Sequence, residues 1–134
     1  MIKQYRNYFN RFKRTNEYRE LQSYLITKQL GLCINCRNTI SLNKTTHLYH
    51  CLSLADLVLV NRKDLVINYN NFYLSCNSCN WKQSKNSNFN VLKEDILKLL
   101  SLSELARIVY LRKYKLNIKD VLTNYLCKNS RCKR

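Results

Sequence analysis

Tyr5, Tyr8, Phe9 and Phe12 recur at spacings of three and four residues, a period that predicts a helix over residues 2–14. Arg6, Arg11, Lys13 and Arg14 stand among them. The aromatic stripe suits a core-facing side, and the basic positions suit a solvated face open to phosphates. Thr15 or Asn16 can cap a second helix, where Glu17 and Glu20 meet the positive end of the helix dipole. Tyr18, Leu21, Leu25 and Ile26 form its apolar side. Gly31, the only glycine, falls just past the expected helix end, where a left-handed residue commonly closes the last turn.

The pattern changes over residues 45–75, which carry the β part. Residues 45–52 and 57–60 can be extended, and 65–67 can return as a strand after the polar stretch Asn61-Arg62-Lys63-Asp64. The 57–60 stretch can equally end a short helix begun near Ser53. From Asn90 the period is helical again. Leu92, Ile96, Leu99 and Leu100 share a face, and Ser101 with Glu104 makes a capping box before Leu105, Ile108 and Val109. Asn117 can cap a last helix bearing Val121, Leu122, Tyr125 and Leu126, followed by a basic tail over 128–134. This order reads as an α+β fold in one domain, 1–134. A basic helical arm covers 1–31, a compact centre 32–86 and a helical extension 87–134.

Net charge changes the picture most. Its formal value is +16, spread as +5, +4 and +7 over residues 1–31, 32–85 and 86–134. A broad basic surface of this kind points to a polyanionic partner, because neutralising phosphates releases condensed counterions. With 46% hydrophobic residues the chain is not a disordered tail. No apolar run reaches the roughly 18 residues of a membrane span, and no secretory signal opens the chain. The acid-free first 14 residues are rich in Tyr and Phe rather than Ser, unlike a transit peptide. No membrane partner and no small-molecule substrate is expected. Pro is absent, Ala occurs only at Ala55 and Ala106, and Asn, Lys, Ile, Leu and Tyr dominate. Such usage suggests an AT-rich coding genome, with an organelle (mitochondrion or plastid), a virus or plasmid, or a reduced bacterium as its source; the expected location is intracellular, an organelle among the options.

Seven cysteines without a secretion signal favour metal over disulfides. Cys33-Ile34-Asn35-Cys36 and Cys76-Asn77-Ser78-Cys79 are two CxxC knuckles, the pattern of a tetrahedral zinc site. Four thiolates leave no open position, so the expected role is structural. Cys51 reads as a small buried apolar residue, and Cys127 and Cys132 as free thiols.

The motifs around these knuckles resemble the HNH endonuclease family. The first knuckle precedes Leu48-Tyr49-His50-Cys51-Leu52-Ser53-Leu54. Asn71 lies five residues before Cys76 in Asn71-Phe72-Tyr73-Leu74-Ser75-Cys76. Asn80 follows the second knuckle in Cys79-Asn80-Trp81-Lys82-Gln83-Ser84-Lys85. The resemblance covers about residues 20–86. It implies a ββα-metal core and metal-dependent phosphodiester hydrolysis. His50 would then be the general base, Asn71 would orient that histidine, and Asn80 would be a ligand of a divalent ion, usually Mg2+.

Three departures accompany it. Tyr49 stands where the family commonly has a metal-holding acid, Leu52 replaces the usual Pro, and the glycines usual after this segment are missing. Both expected Mg2+ ligands are thereby neutral, which weakens metal affinity. His47, three residues before His50, would face the other side of a strand.

Three functions follow. One is an HNH-like nuclease acting on DNA or RNA. Another is a non-catalytic, zinc-stabilised RNA-binding subunit of an organellar ribosome or other large ribonucleoprotein. A DNA-binding transcription or replication factor is a third. In each, Arg6, Arg11, Lys13, Arg14, Lys82 and Lys85 are the candidate phosphate contacts.

Overall fold

A computed structural model describes residues 1–41, 46–76, 79, 86–88 and 98–115 of the 134. Helix α1, Ile2–Phe12, buries Tyr5 and Phe12 and half-buries Tyr8 and Phe9, as the aromatic period requires. It ends two residues earlier than expected. The Thr15 hydroxyl donates to the Phe12 carbonyl at 2.6 Å, which closes the corner into the next helix. Thr15 takes the N-cap position of α2, Asn16–Lys28, but its side chain is spent on that corner and caps nothing.

The end of α2 is a Schellman motif: the Gly31 amide donates to the Ile26 carbonyl, and the Leu30 amide to that of Thr27. Leu30 and Gly31 are both left-handed, with φ of 57° and 69°. Gly31 thus stands one place further out than expected, and an exposed leucine occupies the first left-handed position. A Cβ at Gly31 would meet nothing within 4 Å, so conformation rather than crowding favours glycine there.

Strand β1, Thr46–His50, pairs antiparallel with β2, Phe72–Cys76, in the register Thr46↔Cys76 to His50↔Phe72. Of the two readings of 57–60, the short helix begun near Ser53 holds, and the strand expected at 65–67 is a helical turn instead. Ser53 caps α3, Leu54–Leu59, by accepting from the Asp56 amide at 3.2 Å. Leu65 and Val66 sit buried in a 3-10 turn, Lys63–Ile67. Packing two apolar side chains into the core there needs no ladder partner. The return strand lies further on, after a second turn at Tyr69–Asn71.

β2 separates two apolar clusters. Phe72 and Leu74 join Phe12, Leu21 and Leu25 on one side; Tyr73 joins Tyr5, Leu57 and Ile108 on the other. Helix α4, Leu102–Arg112, opens on the expected capping box: Ser101 Oγ accepts from the Glu104 amide, and Glu104 Oε1 from the Ser101 amide. It buries Leu105, Ile108 and Val109. Leu99 and Leu100 are buried before it. The stretch holding Leu92 and Ile96, the helix after Asn117 and the basic tail lie outside the described residues. Among those described, helices and a two-stranded sheet give a mixed α+β fold. No described helix is long and apolar enough to cross a membrane.

Candidate metal centre and the strand pair beside it

The first knuckle is a small closed loop at the end of α2. The Cys33 amide donates to the Asn38 carbonyl, the Arg37 amide to that of Cys33, and the Ile40 amide to that of Gly31. Arg37 is left-handed at φ 65°, turning the chain back after Cys36. Cys76 is the last residue of β2. Gln29 holds the two pieces together. Its Nε2 donates to the carbonyls of Leu32 (3.0 Å) and Leu74 (2.9 Å), while its Oε1 accepts from the Leu74 amide (2.7 Å).

The thiol sulfurs of Cys33, Cys36, Cys76 and Cys79 consequently lie within 4.8 Å of one another, and Cys36 Sγ is 3.6 Å from Cys76 Sγ. A tetrahedron with metal–sulfur bonds of about 2.3 Å has edges of about 3.8 Å. The spacing fits a metal ion, and among the described residues this is the only such cluster.

The proton chemistry of the cluster fits as well. Burial pushes the Cys33 thiol up, but donors from the Cys36, Cys76 and Asn35 backbone and the Ser75 hydroxyl outweigh it, bringing it down to about 6. Cys79 moves the other way, to about 12, first through the hydrogen bond it shares with Cys76 and then through burial. One sulfur sheds its proton readily and another resists. Thiolates this close to one another repel unless a cation lies between them.

His50 is at the end of β1, opposite Phe72. Its ring lies edge-on to Phe9 at 4.6 Å and against Phe72 at 4.4 Å. Nε2 lies 2.8 Å from the Val66 carbonyl, so that nitrogen carries the proton and donates. Burial, helped by the Lys13 charge and opposed by the Val66 bond, lowers the ring's pKa to about 4.

Asn71 is fully buried, and its side-chain hydrogen bonds go to backbone groups rather than to the His50 ring. Its Oδ1 accepts from the Leu52 amide (2.8 Å) and its Nδ2 donates to the Leu65 carbonyl (2.9 Å), fixing the backbone just beyond His50. Tyr49 points to the other face of the hairpin, against Tyr73 at 5.5 Å. His47 shares that face, 6.3 Å from Tyr49, as strand alternation dictates. Burial raises the Tyr49 phenol, so it stays neutral. Asn80, Lys82 and Lys85 lie outside the described residues, as do Cys127 and Cys132. Cys51 is buried, as expected.

No family model, no curated protein and no solved structure matches the chain.

A depressed histidine has a measurable consequence. Between pH 6.5 and 4 the unfolded chain takes up a proton at His50 that the native protein refuses. Stability therefore falls as pH falls through this window, on the order of 3 kcal/mol in all. His50→Gln keeps an N–H for Val66 but removes the titration. Urea unfolding at the two ends of the window should show the variant losing less stability than wild type. Parallel losses would contradict the buried, neutral ring.

The basic candidates on α1, Arg6 and Arg11, and in the turn after it, Lys13 and Arg14, are all exposed. None pairs with an acidic group among the described residues. Lys13 Nζ instead lies 5.2 Å from the centre of the Phe9 ring.

Sequence reasoning missed a second polar centre. Asp56, fully buried, accepts from Arg112 Nη1 (2.8 Å), from the Tyr114 hydroxyl (2.6 Å) and from the Ser87 hydroxyl. The Ser53 amide donates to Ser87 Oγ at 2.8 Å, and Arg112 Nη2 to Asn86 Oδ1 at 3.0 Å. This joins the start of α3, residues 86–88 and the end of α4. A lone acid inside an apolar helical run is the one sequence feature that hints at it.

Proposed function

We propose that this chain is a zinc-stapled nucleic-acid-binding protein on an HNH-like frame, with binding as its principal activity and phosphodiester hydrolysis weak or lost. The observation that carries this reading is the basic face of α1, whose exposed cations have no acidic partner among the described residues, on a chain of net charge +16. Zinc is the ion best suited to four soft thiolates, and its role here is structural. The HNH-like part is supported by an antiparallel hairpin with His50 at the end of one strand, Asn71 just before the other, and a knuckle on each side.

Hydrolysis would need His50 to take a proton from water, with Asn80 among the ligands of a Mg2+ ion that supplies positive charge at the scissile phosphate. The burial of the ring weighs against an efficient base. With Nε2–H donating to Val66, Nδ1 is the nitrogen left to accept a proton, and a ring with its pKa near 4 is a weak acceptor at neutral pH. Tyr49, in the place of the usual acid, faces away from His50, so Tyr49→Asp would bury a carboxylate rather than create a ligand beside the base.

The test is a cleavage assay on zinc-loaded protein with plasmid DNA and structured RNA, in magnesium or manganese. The expected result is binding without cleavage above background, and no difference between wild type and His50→Ala. Cleavage that disappears in His50→Ala would establish a nuclease instead. Co-sedimentation with large particles in high salt would favour the ribonucleoprotein subunit.

A further inference from the structure

We propose that α1 is a recognition helix whose polar face enters the major groove of duplex DNA. The inference rests on the nucleic-acid reading above and assigns its substrate class and contact surface. Gln4, Asn7 and Asn10 follow at intervals of three and form one strip along the helix, which Arg11 and Arg14 continue. Together with Lys63 from the neighbouring 3-10 turn, these side chains line an open hollow of about 670 Å3.

All six are exposed. No side chain on the strip is held by a described neighbour, so their donors and acceptors are available. Lys63 reaches across the Tyr8 ring at 4.9 Å and marks one edge of the strip. Arg6 and Lys13 mark the other. The acid nearest the hollow in sequence, Asp64, is gripped at both oxygens by Arg62, at 3.0 Å each.

The opposite face is anchored. Tyr5 and Phe12 are 3% and 6% exposed, so the helix presents its polar strip in a fixed direction. Amide side chains between two cationic edges match a groove that offers base edges between two phosphate rows. Asn and Gln pair bidentately with adenine and Arg with guanine, and the major groove of B-DNA, about 12 Å wide, admits one helix. The deep, narrow major groove of A-form RNA does not, which is why the occupant is DNA.

The experiment uses the full zinc-loaded chain. Fluorescence anisotropy would compare duplex DNA with duplex RNA of the same sequence, at about 50 and about 200 mM salt. A preferred DNA sequence would first be selected from a random pool. Tighter binding to DNA is expected. Arg6→Gln with Lys63→Gln, one from each cationic edge, should weaken it about tenfold or more and reduce the salt slope by about one to two. Asn7→Ala with Asn10→Ala should keep the salt slope but lose about tenfold in preference for the selected site. Circular dichroism confirms that each variant, altered only at exposed positions, stays folded.

If both pairs bind like wild type while DNA binding persists, the contact lies on another face and α1 is not the reader. Equal or tighter binding to duplex RNA also overturns the groove assignment while leaving nucleic-acid binding intact. Failure of wild type to bind any nucleic acid removes the broader reading as well.

Discussion

Stripping the metal from the four-cysteine centre with a strong chelator is expected to abolish cooperative unfolding of the protein, and returning zinc to restore it. Structural zinc contributes on the order of 10–16 kcal/mol in small finger peptides, whereas a whole domain is stable by only about 5–15 kcal/mol. The ligands come from two segments separated by α3, two turns and both strands, so their release frees a long loop whose closure is entropically costly. Cys33→Ala should behave like chelation. Its sulfur is fully buried and also accepts from the Cys76 amide at 3.3 Å, so the substitution removes a ligand and a contact between the knuckles. Thermal melts followed by circular dichroism, with metal content measured alongside, decide the matter. An apo protein that melts cooperatively at the holo temperature would remove the structural role.

The second large effect is expected at Asp56. Replacement by Ala removes the one fully buried carboxylate that Arg112 and the Ser87 and Tyr114 hydroxyls share as an acceptor. Breaking a buried ion pair from one side costs about 3–5 kcal/mol, a third or more of the stability of a small domain. Arg112→Ala should cost a comparable amount, because it strands the buried carboxylate. The double variant should cost clearly less than the sum of the two, since each single change already destroys the same contact. Urea midpoints for the four proteins test this. Simple additivity would mean that the network contributes little.

What the sequence disclosed tracks how local the cause was. The aromatic period of α1, the two knuckles and the Ser101–Glu104 box each depend on residues within a turn of one another, and each is where it was expected. β2 was missed as a strand because Phe72, Tyr73, Leu74 and Ser75 are all buried. A strand between two apolar clusters loses the alternation by which strands are recognised. The 57–60 stretch suited a strand or a helix, and the Ser53 cap decides for the helix. The 65–67 stretch failed as a strand because Leu65 and Val66 reach the core from a 3-10 turn. The Asp56 network was invisible because its partners lie 31 to 58 residues away. Asn71 and His50 were legible as residues of interest, but their partners, backbone groups of Leu52, Leu65 and Val66, depend on the path of a loop that no local pattern encodes.

Gln29 bears on how freely this chain can drift. Its amide gives and takes at the same residue, Leu74, so a side chain performs the work of a neighbouring strand. Glu could take but not give, Lys could give but not take, and Asn is one carbon too short to span the same gap. Of the twenty amino acids, Gln alone meets all three demands. The end of a surface helix is therefore tied to one residue type by a strand edge it does not belong to, and a library randomised at position 29 and selected for stability should be enriched in Gln.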